Sequence, residues 1–285
     1  MNQLPLERRI AVVAALTEGN SIRSTVRLTG VAKNTITKLL AELGQACAQY
    51  MDRTLRNLTC KRVQCDEIWS FVYAKQKHVP EHLKGIYGFG DVWTWIAMDA
   101  DTKLVLSYLV GTRGPYNCYE FMKDVASRLA SRIQLTTDGL YWYVDAVDHA
   151  FGIDIDYGMI QKRYAGGIAG QATAAVRYSP AKFVSATKEV IRGNPDKRHV
   201  STSYIERQNL TMRMSMRRFT RLTNGFSKKV ENHTAMIAIF YLHYNFCRIH
   251  QTLRVTPAMA AGVSDHVWEL SELVGLLKVN ETAAA

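Results

Sequence analysis

Apolar side chains recur at helical spacing through residues 7–17 (ERRIAVVAALT), and Glu18-Gly19-Asn20 closes the run. A second short helix starts at Ser21, whose hydroxyl suits an N-cap, and ends at Gly30. A third covers VAKNTITKLLAEL. There Val31, Ile36, Leu39, Leu40 and Leu43 form an inward stripe, and Lys33, Asn34, Thr35, Thr37 and Lys38 face mostly outward. Three short helices with a glycine-containing turn before the last form a helix-turn-helix pattern, with the third as the reading helix. The plain alternative is a helical cap whose polar face meets water. The pattern predicts an all-α DNA-binding domain over residues 1–45 and a helical linker over 46–60.

From Lys61 the period changes to that of strands. CDEIWSFVYAK, GFGDVWTWIAMD and KLVLSYLVG follow one another without room for helices, which implies an antiparallel meander. Residues 117–131 then read as a helix, RIQLTTD as a fourth strand, LYWYVDAVDHAFG as a helix and IDIDYG as a fifth strand. The intervening helices supply the crossovers that parallel pairing requires, so the expectation is an α/β domain with a mixed five-stranded sheet. Residues 161–200 carry little pattern. QKRYAGGIAGQATAA lacks the Gly-Lys-Ser or Gly-Lys-Thr ending of a phosphate loop and reads as a structural loop, and RGNPDKRHVS as an exposed basic one. A long helix is expected from Ser203 to Arg221, and another from Lys229 to Cys247, whose AMIAIFYLHY stretch is too short and too interrupted to span a bilayer.

Charge changes the picture of the helical N-terminus. The chain has 285 residues and a formal net charge of +11, which favours a polyanionic partner, although an anionic membrane surface gives the same average. Through Arg62 there are ten Arg or Lys against four acids, a surplus that DNA phosphates would use. The five cysteines are scattered, without a Cys-x-x-Cys pair, and read as buried thiols in a reducing compartment. The opening lacks a secretory pattern and no apolar run reaches membrane length, so a soluble cytoplasmic protein without a membrane partner is expected.

Three acids fall where chemistry can use them: Asp66 in the first strand, Asp138 at the end of the fourth, and Glu206 one turn into the long helix. If the first strand is central, the fourth can lie beside it and the helix can cross their shared end. Three carboxylates brought together repel one another, and divalent cations neutralise such a cluster. Mg²⁺ suits oxygen ligands, Mn²⁺ can substitute, and a metal pair supports phosphodiester attack. Each acid also has an ordinary reading, as a turn residue, a helix-start residue or an edge-strand safeguard. Glu206, Asn209, Arg213 and Arg217 follow one face of the helix, Arg207 adjoins it, and residues 201–231 hold seven Arg or Lys against two acids, a DNA-tracking surface. Strand alternation puts Asp66 with Gln64, Ile68 and Ser70, and Glu67 with Cys65, Trp69 and Phe71; both faces hold apolar residues, so alternation leaves open which acid points to the site.

DEIWSFV, the TDG at 137–139 and YIERQNLTMRMSMRRFTRLTNGFSK at 204–228 resemble the catalytic segments of bacterial insertion-sequence transposases of the Asp-Asp-Glu type, closest to the insertion-sequence-one group. YNFCRIHQTLRVTPAMAAG at 244–262 is similar to the tail of related integrase-like transposases. The resemblance covers roughly residues 61–245 and implies a ribonuclease-H-like catalytic core over 61–247, a C-terminal tail over 248–285, and Mg²⁺-dependent cleavage and strand transfer. It assigns Asp66, Asp138 and Glu206 as catalytic metal ligands and Arg213 and Arg217 as phosphate contacts. The partners it implies are double-stranded DNA, as terminal inverted repeats and target, and further copies of the chain. It leaves Glu67 a supporting role, paired with a Lys or Arg. The chain departs from that group in lacking a cysteine-rich zinc segment before the helix-turn-helix. Two rival functions share these features: a helix-turn-helix transcriptional regulator whose α/β domain senses a ligand, and a ribonuclease-H-like nuclease that cuts without joining.

Overall fold

The computed structural model describes residues 4–165, 182–220 and 224–283. Three helices come first: α1 (Leu6–Thr17), α2 (Ile22–Thr29) and α3 (Lys33–Thr54). Ser21 caps α2 by accepting from the Ser24 N–H at 3.1 Å, and Gly30 ends it at φ 64°, the left-handed conformation that glycine adopts without strain. α3 runs unbroken across residues 45 and 46, where the reading helix was expected to pass into a linker.

The sheet then builds from β1 (Arg62–Val72), β2 (Gly90–Asp99) and β3 (Val105–Gly111), the expected antiparallel meander. Helix α4 (Pro115–Arg128) leads to β4 (Gln134–Asp138), and α5 (Trp142–Phe151) leads to β5 (Asp156–Ala165). β4 lies parallel to β1 and β5 parallel to β4, because each preceding helix carries the chain back across the sheet. The expected five strands become six. β6 (Lys182–Arg192) pairs antiparallel with β5 and gives the order β3-β2-β1-β4-β5-β6. Its sequence carried no strand signal because it is an edge strand with Phe183, Val184 and Val190 all exposed, so no buried face imposes alternation. From residue 166 the Gly-rich run expected as a loop lies outside the described residues, while residues 161–165 belong to β5.

The expected helix from Ser203 is shorter. α6 (Ser203–Ser215) ends where Met216 turns into extended backbone, and a 3₁₀ turn follows at Arg217–Phe219. Met216 and Phe219, three residues apart on the stripe continued from Ile205 and Met212, are both buried there. α7 (Val230–Leu242) is buried over nearly its whole surface and continues as a π-helical turn, His243–Cys247. Asn245 in that turn pins the edge of the sheet, its Oδ1 accepting from the Val105 N–H at 3.0 Å and its Nδ2 donating to the Val105 carbonyl at 2.9 Å. The segment expected as a tail holds α8 (Pro257–Ala260) and α9 (Leu270–Ala283), and α9 packs against α1 and α3. One buried cluster runs from Val12, Leu16 and Leu40 through Ile239 and Leu273 to Trp95 and Phe121. Among the described residues no helix is long and apolar enough to cross a membrane.

Candidate metal centre

The site lies where β4 stops. The β1–β4 register ends at Gln64↔Thr136, and two residues further on Asp66 and Asp138 leave the ends of that pairing. Beyond this point β1 lacks its neighbour until Val72 bridges to Ser227, and the gap opens a cleft of about 550 Å³. Asp66, Arg113, Asp138, Lys162, Thr202 and Glu206 are among its lining residues.

Each acid is held in place. Asp66 Oδ1 accepts from the Glu67 N–H at 2.9 Å and Oδ2 from Asn209 Nδ2 at 2.8 Å. Asp138 Oδ1 accepts from the Leu140 N–H at 3.1 Å, a turn closed by the carboxylate itself. Glu206 reaches the cleft because α6 is docked on β1. The side-chain oxygen Oε1 of Gln64 accepts from the N–H groups of Tyr204 and Ile205, at 3.0 and 3.1 Å, and so satisfies two of the helix's otherwise orphaned donors. Glu206 Oε1 also accepts from Thr202 Oγ1 at 2.7 Å and pairs with Lys162.

Among the described residues the tightest acidic group is Asp66, Glu67 and Asp138, whose ligand oxygens all lie within 4.8 Å of one another. Glu206 lines the same cleft outside that group. Burial, then the neighbouring charges of Glu67 and Asp138, push the Asp66 carboxyl up to about 8. Burial and the charge of Asp138 raise Glu67, against the pull of Arg113. Burial also raises Asp138, and the Leu140 N–H opposes it. An all-oxygen donor set whose members resist ionising together fits a hard divalent cation such as Mg²⁺, because a bound cation removes the repulsion and favours the charged forms.

The other residues singled out from sequence are dispersed. Lys33, Asn34, Thr35 and Lys38 are exposed on the first turns of α3, Thr37 is half-buried and donates to the Asn34 carbonyl at 3.0 Å, and none of the five lines the cleft. Arg207 and Arg217 are exposed and Arg213 is half-buried. Asn209 departs from the expected DNA-facing surface: it is buried and spends its amide on Asp66. Sequence reading passed over Arg113 and Lys162, the two cations that line the cleft among the described residues. Arg113 sits in an unpatterned Gly-Thr-Arg-Gly loop, and Lys162 in a stretch without legible period. Glu67 has the basic partner expected of it, since Arg113 pairs with its carboxylate at 2.7 Å.

No protein-family model matches the chain, and no curated protein matches it. Among solved structures it is similar to the piggyBac transposase synaptic complex with hairpin DNA, at 12% identity and a TM-score of 0.35 over 92% of this chain. It is also similar to the Mos1 strand transfer complex, at 13% identity and a TM-score of 0.25 over 55% of the chain, and to the Mos1 mariner paired end complex with Mn, at 10% and 0.23. The aligned part spans 57% of the piggyBac chain and 59% of each Mos1 chain. This likeness is distant and does not single out the insertion-sequence-one group.

Proposed function

We propose that this chain is a DNA transposase, a Mg²⁺-dependent polynucleotidyl transferase that binds the ends of a mobile element, cleaves a phosphodiester there and joins the exposed 3′-hydroxyl to target DNA. The observation that carries this reading is the meeting of Asp66 and Asp138 at one cleft, from adjacent parallel strands and with no cation paired to either carboxylate among the described residues, while Glu206 enters the same cleft from α6. The motif resemblance and the net charge of +11 support it.

In this reading Asp66, Asp138 and Glu206 hold Mg²⁺, or Mn²⁺ in its place. When bound, the metal activates the attacking hydroxyl and neutralises charge on the departing oxygen. The chain's own groups set the stage for that chemistry. The Glu67 N–H and Asn209 aim the two oxygens of Asp66, the Leu140 N–H aims Asp138, and Gln64 fixes the helix that carries Glu206. Arg207, Arg213 and Arg217 contact phosphates, and Lys33, Asn34, Thr35, Thr37 and Lys38 meet the major groove. Asn209 is assigned to orienting the acid. As functional units, residues 1–45 recognise DNA, 46–60 link, 61–247 hold the ribonuclease-H-like chemistry and 248–285 close the chain. Bringing two element ends together requires more than one copy, and the work is done in the cytoplasm.

The test is a strand-transfer assay with labelled element ends, target DNA and Mg²⁺. Wild-type protein gives joined product, and Asp66→Asn lowers the rate by roughly 100-fold or more, the worth of several kcal/mol of metal-assisted stabilisation. Joining by Asp66→Asn at the wild-type rate sinks the reading. DNA binding that needs no Mg²⁺ and survives loss of all three acids marks a regulator, and cleavage without joining marks a nuclease.

A further inference from the structure

Among the described residues three acids and two cations line the cleft, Glu67 lies buried behind it, and the cations are not shared evenly. Lys162 pairs with Glu206 and Arg113 with Glu67, which leaves Asp66 and Asp138 between them without an ion pair among the described residues. The Glu67 carboxylate is 2% exposed, and its Oε1 accepts from both Nε and Nη2 of Arg113, at 2.9 and 2.7 Å. Its Oε2 faces the hydroxyl of the buried Tyr143 at 3.4 Å. Alternation sets Glu67 on the face of the sheet covered by α4 and α5, where its cross-strand partner Trp95 packs on Phe121 and Tyr143. Asp66 points to the opposite face, toward α6.

Arg113 is held from three sides. Its guanidinium lies over the Trp93 ring, 4.7 Å from the centroid, and Glu67 grips one edge of it. Its loop is fixed by the Trp95 indole, which donates to the Thr112 carbonyl at 3.2 Å, and by Asn117, which donates to the Thr112 hydroxyl at 2.8 Å. The side chain is nevertheless 40% exposed and lines the cleft beside Asp66 and Asp138. A guanidinium fixed in place on one edge and open on the other is a preorganised donor for a phosphate.

We propose that Glu67 anchors Arg113 instead of ligating the metal, and that Arg113 grips the phosphate of the reacting DNA strand beside the Asp66–Asp138 pair. This rests on the transposase reading and adds a phosphate-contacting residue, Arg113, and a positioning residue, Glu67, to it.

Two titrations on the full chain test it: Mn²⁺ by calorimetry, and a fluorescently labelled DNA duplex at several salt concentrations. Arg113→Ala weakens DNA binding by roughly 10- to 100-fold, the worth of one charge-assisted phosphate contact. It also reduces the slope of log affinity against log salt by about one. Arg113→Lys keeps the charge and restores the slope. Glu67→Gln weakens DNA binding less, adds nothing in the Arg113→Ala background, and leaves Mn²⁺ affinity within roughly threefold of wild type, whereas Asp66→Asn lowers it by roughly tenfold or more. A loss of Mn²⁺ affinity in Glu67→Gln equal to that of Asp66→Asn overturns the proposal, because Glu67 is then a ligand. An Arg113→Ala protein that melts earlier but binds DNA with unchanged affinity and salt slope overturns it too, because the pair is then only structural. A wild-type protein that binds neither Mn²⁺ nor DNA removes the transposase reading itself, whereas both overturning outcomes above occur in a protein that binds them.

Discussion

Asp66 and Glu67 are neighbours in one strand with different surroundings. The pleat sends one toward α6, where an amide and a backbone N–H hold it at the cleft, and the other toward α4 and α5, where a guanidinium meets it. A basic partner for Glu67 was legible from the cost of burying an acid; its identity was not, because Arg113 lies 46 residues away in a loop without pattern. His233 shows the same logic with the opposite charge. It is fully buried in α7, its Nε2 meets Ser70 Oγ at 3.1 Å, and Ser70 in turn donates to the Val92 carbonyl at 3.0 Å. Burial, helped by the Arg218 guanidinium, pushes His233 down to about 3. The unfolded chain takes up that proton below about pH 6.5, while the folded one does not until about pH 3. The contribution is therefore fully present above pH 6.5 and is lost by about 1.4 kcal/mol per pH unit as the pH falls through that window. His233→Gln, which keeps a donor for Ser70, is expected to be less stable than wild type at pH 7, with the gap narrowing toward pH 4.5 in urea denaturation; parallel curves would show that His233 carries its proton in the fold.

At the scale of elements, β1 and α6 are joined by two side chains that emerge on one face of the strand, Gln64 and Asp66, each meeting a group about 140 residues away. The alternation that groups them was readable and the helix was expected to cross the end of the strand, but the contacts of Gln64 and Asp66 with it were not. The crossing of α3 and α7 shows how close packing overrides local preference. A Cβ on Gly44 would come within 2.5 Å of Ala235 Cα and 2.7 Å of its carbonyl oxygen, so the two helices touch backbone to backbone there. In an exposed helix Gly→Ala stabilises by roughly 1 kcal/mol. Here Gly44→Ala is expected to destabilise, by about 1–3 kcal/mol, because the helices must separate around an added methyl group. Chemical denaturation measures it, and a gain in stability would show that the crossing yields easily.

At the scale of the whole molecule, the N-terminal helices are not packed as a free-standing unit. Val12, Leu16, Ile36, Leu40 and Leu43 belong to the same buried cluster as α7, α9 and the sheet. The chain is therefore expected to unfold in one cooperative calorimetric transition, and removal of residues 1–45 to destabilise everything else by exposing α7 and α9. Two separated transitions would contradict this. The proposed role of α3 in DNA recognition is better tested at its surface. Lys33→Ala with Lys38→Ala is expected to weaken DNA binding and flatten its salt dependence without moving the melting temperature, because both side chains are exposed. Equal DNA affinity in the double variant would assign recognition elsewhere.

The sequence by itself determined the elements whose burial leaves a period: three N-terminal helices, a meander of three strands, two crossover helices and the buried α7. It also named Asp66, Asp138 and Glu206 as acids worth bringing together. It was silent on β6, whose edge position imposes no alternation, and on the break after Ser215, where Met216 turns into extended backbone. Only the tertiary structure set β4 beside β1, docked α6 through Gln64, and placed Arg113 and Lys162 on the rim of the acids. The physical reason is one of range. Helical and strand periods are read from neighbours a few residues apart, whereas the cleft is made by groups dozens of residues apart whose meeting leaves no mark on local spacing.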